Sequence, residues 1–334
     1  MRTLLVGLSL LAPAVAQGPL QATLLALQPI EAEWTSAPAG TPGALVSVPA
    51  GPITRAEAYA PVGQNWAIFD CSIAPIGDGV RVLATSVVFP PSAELAETRA
   101  DLLLLLSAPQ AITVALDLHV AHFGDTPSAA GFRIDIGNDG TDELDTSSSA
   151  CCGSVRLLAT TMTIGPTGLA VRIRSTNTMG ASPQVFELWI DVEPWLAAAT
   201  PISPACDVLG TKLPPQGYYQ GNYQLAVLPP VNPYEFALLR AAGLGTFDLF
   251  LVSADPVTAP LTPPAPLPGP CDLFANIVFA FPGEATILSP ARSGFELRVP
   301  PLPLGLVIYV QHVSVEGETA PFAFGASNVV RIDT

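Results

Sequence analysis

Charge is what this chain has least of, and positive charge above all. Only 12% of its 334 residues are Asp, Glu, Lys or Arg, about half the usual share in soluble domains. Lys212 is the only lysine, and the formal net charge is −15. A chain so poor in Lys and Arg cannot neutralise phosphates, which excludes a nucleic-acid partner. Anionic membrane surfaces are disfavoured for the same reason. Scarce Glu, Lys and Arg also argue against helix bundles, whose wet faces draw on them. There is no Gly-x-Ser-x-Gly elbow, no His-Glu-x-x-His and no Gly-rich phosphate loop, so the common hydrolytic and nucleotide chemistries have no motif here. Long apolar runs are missing too. Leu102 to Leu106 are five leucines, far too few to span a bilayer.

What is present begins with an address. Arg2 precedes an apolar run from Leu4 to Leu11, and Ala14-Val15-Ala16 follows as a small-x-small cleavage site. The pattern predicts a secretory signal peptide over residues 1–16, a mature chain from near Gln17, and an extracellular or cell-envelope location. No cysteine follows the run at that site, so no lipid anchor and no membrane insertion after cleavage are expected. In an exported chain the five cysteines, Cys71, Cys151, Cys152, Cys206 and Cys271, invite disulfides. Grouping by domain suggests Cys206 with Cys271, and Cys71 with Cys151 or Cys152. The odd count leaves one thiol over, and spacing alone does not fix the connectivity.

The chain is 49% hydrophobic, and its 36 Pro and 27 Gly fall between short apolar runs. That is the punctuation of an all-β protein. Val114, Leu116, Leu118 and Val120 alternate with Thr113, Ala115, Asp117 and His119. Val171 and Ile173 alternate with Arg172 and Arg174. Phe186, Leu188, Ile190 and Val192 alternate with Glu187, Trp189 and Asp191. One apolar and one polar face per strand is the signature of antiparallel sheets. A short helix is expected only at Ala93 to Ala100. The aperiodic, Pro-bearing stretch 197–205 reads as a linker. It separates an N-terminal sandwich over 20–196 from a C-terminal one over 206–334, the fold expected being two antiparallel, jelly-roll-like β-sandwich domains. In the second half, strands are expected at Tyr223 to Leu228, Thr246 to Val252, Ala275 to Phe281, Phe295 to Val299, Leu306 to Val315 and Asn328 to Ile332.

The spaced Cys206 and Cys271, the segment Val299-Pro-Pro-Leu-Pro-Leu-Gly-Leu-Val-Ile-Tyr-Val-Gln311 and the closing Ala326-Ser-Asn-Val-Val-Arg-Ile together carry a resemblance. The region 206–334 resembles the C-terminal module of uncharacterised secreted bacterial two-module β-sandwich proteins. The resemblance implies a secreted β module and brings no activity with it.

Three groups of residues are candidate sites. Arg133 to Asp145 holds the turn signal Asn138-Asp139-Gly140 between alternating arms. Asp135, Asp139 and Asp142 stand at a spacing that resembles calcium loops, making calcium the one cofactor suggested. Gly137 and Thr146 depart from that pattern, and a plain acidic hairpin explains the same residues. Trp189 faces outward between two carboxylates, a chemistry that suits a sugar ring, or else it packs beneath a loop or the second domain. Tyr218, Tyr219 and Tyr223 form an aromatic cluster with Asn222 and Gln224, typical of recognition surfaces and equally of an edge strand covering a core. His119 and His122 fall on opposite faces of their strand and cannot converge on zinc.

The leading expectation is a secreted, non-enzymatic binding module for carbohydrate or extracellular matrix, with polysaccharide or cell-surface components as partners. The alternatives are a structural or adhesive envelope protein without a small-ligand site, and an extracellular hydrolase whose site is assembled from residues remote in sequence.

Overall fold

The structure is a computed structural model that describes residues 15–17, 20–35, 44–60, 66–89, 95–124, 131–147, 155–178, 183–203, 207–211, 218–222, 224–242, 247–261, 271–289, 292–316 and 323–334. These residues form strands and no helix, so the chain is all-β. The strands are numbered in chain order.

A nine-stranded sheet takes β1 (Val15–Gln17), β2 (Leu20–Ala26), β3 (Ile30–Thr35), β4 (Leu45–Val48), β5 (Gly51–Ile53), β9 (Leu95–Ser107), β11 (Gly131–Ile136), β12 (Leu144–Asp145) and β14 (Leu169–Thr178). An eight-stranded sheet takes β6 (Arg55–Tyr59), β7 (Trp66–Ile76), β8 (Gly79–Phe89), β10 (Ile112–Gly124), β13 (Val155–Ile164), β15 (Gln184–Pro194), β17 (Asp207–Thr211) and β18 (Tyr218–Asn222). Its order is β17-β18-β13-β10-β15-β8-β7-β6, antiparallel throughout except between β13 and β18.

The two sheets pack face to face. Each contributes alternate residues to one core: Leu24, Leu102, Leu104, Phe132 and Ile173 from the first, Phe69, Val82, Leu116, Leu118 and Phe186 from the second. Strand parity decides which residues enter. Along β15, Phe186, Leu188, Ile190 and Val192 are buried, while Glu187, Trp189 and Asp191 lie on the other face.

From Leu95 onward the short helix expected at Ala93 to Ala100 is instead the start of β9, Ala93 and Glu94 lying outside the described residues. Ala96, Thr98 and Ala100 are buried and continue the inward row of Leu102, Leu104 and Leu106. Pairing with β2, β3 and β14 satisfies the β9 backbone on both edges. Tertiary pairing thereby overrides the local preference of Ala and Glu for helix.

The second sandwich has a six-stranded sheet of β16 (Ala199–Pro201), β21 (Phe247–Ser253), β24 (Phe279–Pro282), β27 (Val307–Glu316), β28 (Ala323–Ala326) and β29 (Val330–Asp333). It faces a four-stranded sheet of β19 (Ala226–Leu228), β20 (Ala237–Ala242), β25 (Glu284–Ser289) and β26 (Arg292–Val299). Leu225, Val227, Leu239, Phe250, Val310 and Ile332 fill the space between them. The hairpin of β22 (Thr258–Leu261) and β23 (Cys271–Phe274) places Phe274 in a smaller cluster with Leu251 and Val313.

Two features tie the sandwiches together. Residues 199–201 form β16 and pair with β29, while residues 207–211 and 218–222 return to the first sandwich as β17 and β18. Ala115, on the outer face of β10, joins the core of the second sandwich beside Trp195.

The cysteines correct one expectation. Cys71 alternates inward with Phe69 and Ile73, buried in the first core, and is a free thiol rather than half of a disulfide. Burial pushes its thiol pKa up to about 12, since the interior disfavours a thiolate. Cys151, Cys152 and Cys206 lie outside the described residues, as do residues 1–14 of the signal peptide expected over 1–16.

Candidate functional site: the outer face of the eight-stranded sheet

The register of the eight-stranded sheet arranges its outer side chains in rows that run across the strands. Tyr59 pairs with Ile68, Ile68 with Val87, Val87 with Val185, and Val185 with Phe123. These five residues form one apolar row across five strands. Beyond it, Trp66 pairs with Phe89, their ring centroids 6.4 Å apart and the planes tilted by 47°. All four aromatic rings meet solvent: Tyr59 is 48% exposed, Trp66 47%, Phe123 42% and Phe89 40%. Single exposed apolar residues are ordinary, but a contiguous band on a sheet face marks an interaction surface.

The next row, two residues along each strand, is acidic. Glu57 pairs with Asp70, Asp70 with Thr85, and Thr85 with Glu187. Arg55 compensates the outer end, bonding Glu57 at 2.6 Å and Asp70 at 3.5 Å. Burial raises the Asp70 pKa, Arg55 opposing it and Glu57 adding to it. Burial alone raises that of Glu187.

The third row holds Leu83, Trp189 and His119. Trp189 is on the outer face that its sequence position predicts, half-buried. The Arg81 guanidinium lies 4.9 Å from its ring centroid in cation–π geometry. Arg81 is fixed in turn by a two-pronged contact to Asp191, both distances 2.6 Å. One face of the indole is therefore taken by the protein itself. His119 is buried beside it, while His122 points into the core, stacked on Phe186 at 4.1 Å and bonded to Gln184 at 2.6 Å. The two histidines face apart, as strand parity requires.

At the far end the face meets the second sandwich. Arg240 of β20 reaches Glu193 of β15 and Glu296 of β26. A cleft of about 420 Å³ opens beside this contact, lined by residues that include Ile76, Asp78, Glu193, Leu228, Val231 and Arg240. Burial raises the Glu193 pKa against the pull of Arg240.

The acidic hairpin is wired internally. Asp135 is buried, and its two oxygens accept the N–H groups of Asp139 at 3.0 Å and Gly140 at 2.9 Å. Asp139 accepts the Thr141 N–H at 2.8 Å, and Asp142 pairs with Arg174. No group of three or more metal-binding side chains occurs among the described residues. Tyr218 and Tyr219 lie on β18, with Tyr219 paired to Val155, and Tyr223 lies outside the described residues.

A Ser-His-Asp combination does occur. Asp248, His312 and Ser314 share one face of the six-stranded sheet, Asp248 directly opposite Ser314. His312 Nε2 is 3.4 Å from Asp248 Oδ1. All three are buried. Desolvation lowers the His312 pKa to about 3, which holds the ring neutral.

The sequence reading missed Tyr59, Trp66, Phe89 and Phe123. Parity was the available signal for the first three: Trp66 and Ile68 alternate against the buried Ala67, Phe69 and Cys71. Which strands lie side by side is a tertiary fact, and only that aligns the rings into a band. No protein-family model matches this chain, and no curated protein is significantly similar to it.

Proposed function

We propose that this protein is an exported, non-enzymatic recognition module that binds carbohydrate across the outer face of its eight-stranded sheet. The observation that carries the reading is the exposed band of Tyr59, Trp66, Phe89 and Phe123 beside a row of carboxylates. Aromatic rings offer flat apolar area to the C–H faces of sugars, and carboxylates accept their hydroxyl protons. A rigid sheet holds such groups at fixed spacing and so avoids the cost of ordering backbone on binding. Export rests on the leader-like first 16 residues and on the resemblance of region 206–334 to secreted modules. The mass of the chain recovered outside the cell tests it.

Binding of the mature chain to a panel of soluble and insoluble polysaccharides tests the recognition. Trp66→Ala and Phe89→Ala are expected to weaken any saturable binding about tenfold or more, the loss of a stacking contact worth roughly 1–3 kcal/mol. Exposed positions should leave folding stability within about 0.5 kcal/mol of the parent. A blank panel from folded protein would overturn the reading.

One observation favours a second reading, a structural or adhesive role. Strand β24 is the edge of its sheet, with Phe279 and Phe281 exposed and all four of its residues accessible. An apolar edge strand is a template for pairing with another chain. Concentration-dependent assembly in sedimentation, lost in Phe279→Lys, would support that role.

A further inference from the structure

Resting on the carbohydrate reading, we propose that the ligand is a single uncharged glycan chain, laid across the strands from Tyr59 to Phe123 and free to twist along its length. The direction comes from the order of the sheet. Strands β6, β7, β8, β15 and β10 are successive neighbours. Tyr59, Trp66, Phe89 and Phe123 stand on four of them, and Val185 on β15 bridges Phe89 and Phe123. The exposed rings therefore follow one another across the strands, not along them. Four strand spacings separate the end residues, about 19 Å. A single sugar covers one ring, whereas a chain meets all of them.

Twist selects a flexible chain over a flat crystalline face. Neighbouring strands turn by about 20–25° relative to one another, so four steps rotate the face by roughly 80–100°. The rings show the same departure from a plane: Trp66 and Phe89, on adjacent strands, are tilted by 47°. A rigid surface lying flat on one of them meets the other at that angle. A single chain, with rotatable bonds at every glycosidic oxygen, can lie on both. Charge selects an uncharged chain. Glu57, Asp70 and Glu187 stand two residues along their strands from Tyr59, Ile68 and Val185. Among the described residues Arg55 is the one cation paired with this row. The flank of the band is thus negative, as is the whole chain at −15, and uronic or sulfated chains are repelled.

Calorimetry of the mature full-length chain with disaccharides and hexasaccharides of glucose, xylose and mannose, with galacturonic acid hexasaccharide, and pull-down on crystalline cellulose test the proposal. At least one uncharged hexasaccharide is expected to bind about tenfold or more tighter than its disaccharide, because contacts along one chain reinforce each other. Tyr59→Ala and Phe123→Ala, at opposite ends of the band, should each weaken that hexasaccharide about tenfold, the loss of one aromatic contact. Leu45→Ala, at an exposed apolar residue of the nine-stranded sheet, should leave it unchanged. Three results would overturn the proposal and leave carbohydrate binding standing: a disaccharide as tight as its hexasaccharide, galacturonic acid binding tightest, or retention on crystalline cellulose with every soluble chain ignored. A dimer in sedimentation that Trp66→Ala dissociates would assign the band to a second copy of the chain and overturn it as well. Only a panel blank for every polysaccharide, soluble and insoluble, would take the broader reading with it.

Discussion

Single side chains in this protein are held by specific partners, and their removal has predictable signs. Asp135 caps its own hairpin through two backbone N–H groups while Asn138 takes a left-handed φ of 54° in the turn. Asp135→Ala removes the acceptor of both N–H groups, and a loss of about 1–3 kcal/mol is expected in urea unfolding, the net worth of two such hydrogen bonds. His312 governs a pH effect. Its pKa falls from 6.5 to about 3 on folding, so between those values the unfolded chain binds the extra proton. Its contribution to stability is present above pH 6.5 and is lost as pH drops toward 3. His122 acts in the same direction. Asp70, Glu187 and Glu193 are raised on folding and act in the opposite one. Unfolding midpoints at pH 7 and pH 4 should therefore converge in His312→Gln relative to the parent.

At the scale of the element, alternation was readable and partners were not. The period-two pattern of Phe186 to Val192 places each side chain on the face where it is found. The same parity separates His119 from His122. It failed at Ala93 to Ala100, where Ala, Glu and Arg at helix-like spacing lie at or beside the start of a strand whose character is set by its neighbours. Strand ends carry their own constraint. A Cβ on Gly79, the first residue of β8, would sit 2.3 Å from the Val192 carbonyl oxygen and 3.0 Å from the Glu193 Cα. Backbone cannot yield as a flexible side chain can. Gly79→Ala is expected to destabilise by about 1–3 kcal/mol, as overpacking does, and to loosen the β8–β15 pairing seen as faster amide exchange.

Across the whole molecule, the decisive contact is the one between sandwiches. Arg240 is mostly buried between Glu193 and Glu296, one from each sandwich. Removing the cation leaves a carboxylate in the interface without compensation, and Arg240→Ala should cost about 3–5 kcal/mol. Part of that loss should return in Arg240→Ala with Glu193→Gln, which a double-mutant cycle in denaturant reads directly. The crossing of β16 and β17–β18 between the two halves adds backbone continuity to this contact, so the sandwiches are expected to unfold in one transition.

The sequence by itself determined the class of fold and the facing of most side chains. Both follow from local facts: scarce charge, Pro and Gly punctuation, and apolar residues two apart. It also determined that Trp189 stands on an outer face, because parity needs no knowledge of neighbours. Tertiary structure decided what surrounds each such residue. Arg81 covers Trp189 from the adjacent strand, Cys71 is sealed in a core with no bridge, and Asp135 spends both oxygens on its own turn. The aromatic band is tertiary in the same sense: its rings come from β6, β7, β8 and β10, spread over 65 positions from Tyr59 to Phe123, and only the order in which strands pair sets them side by side.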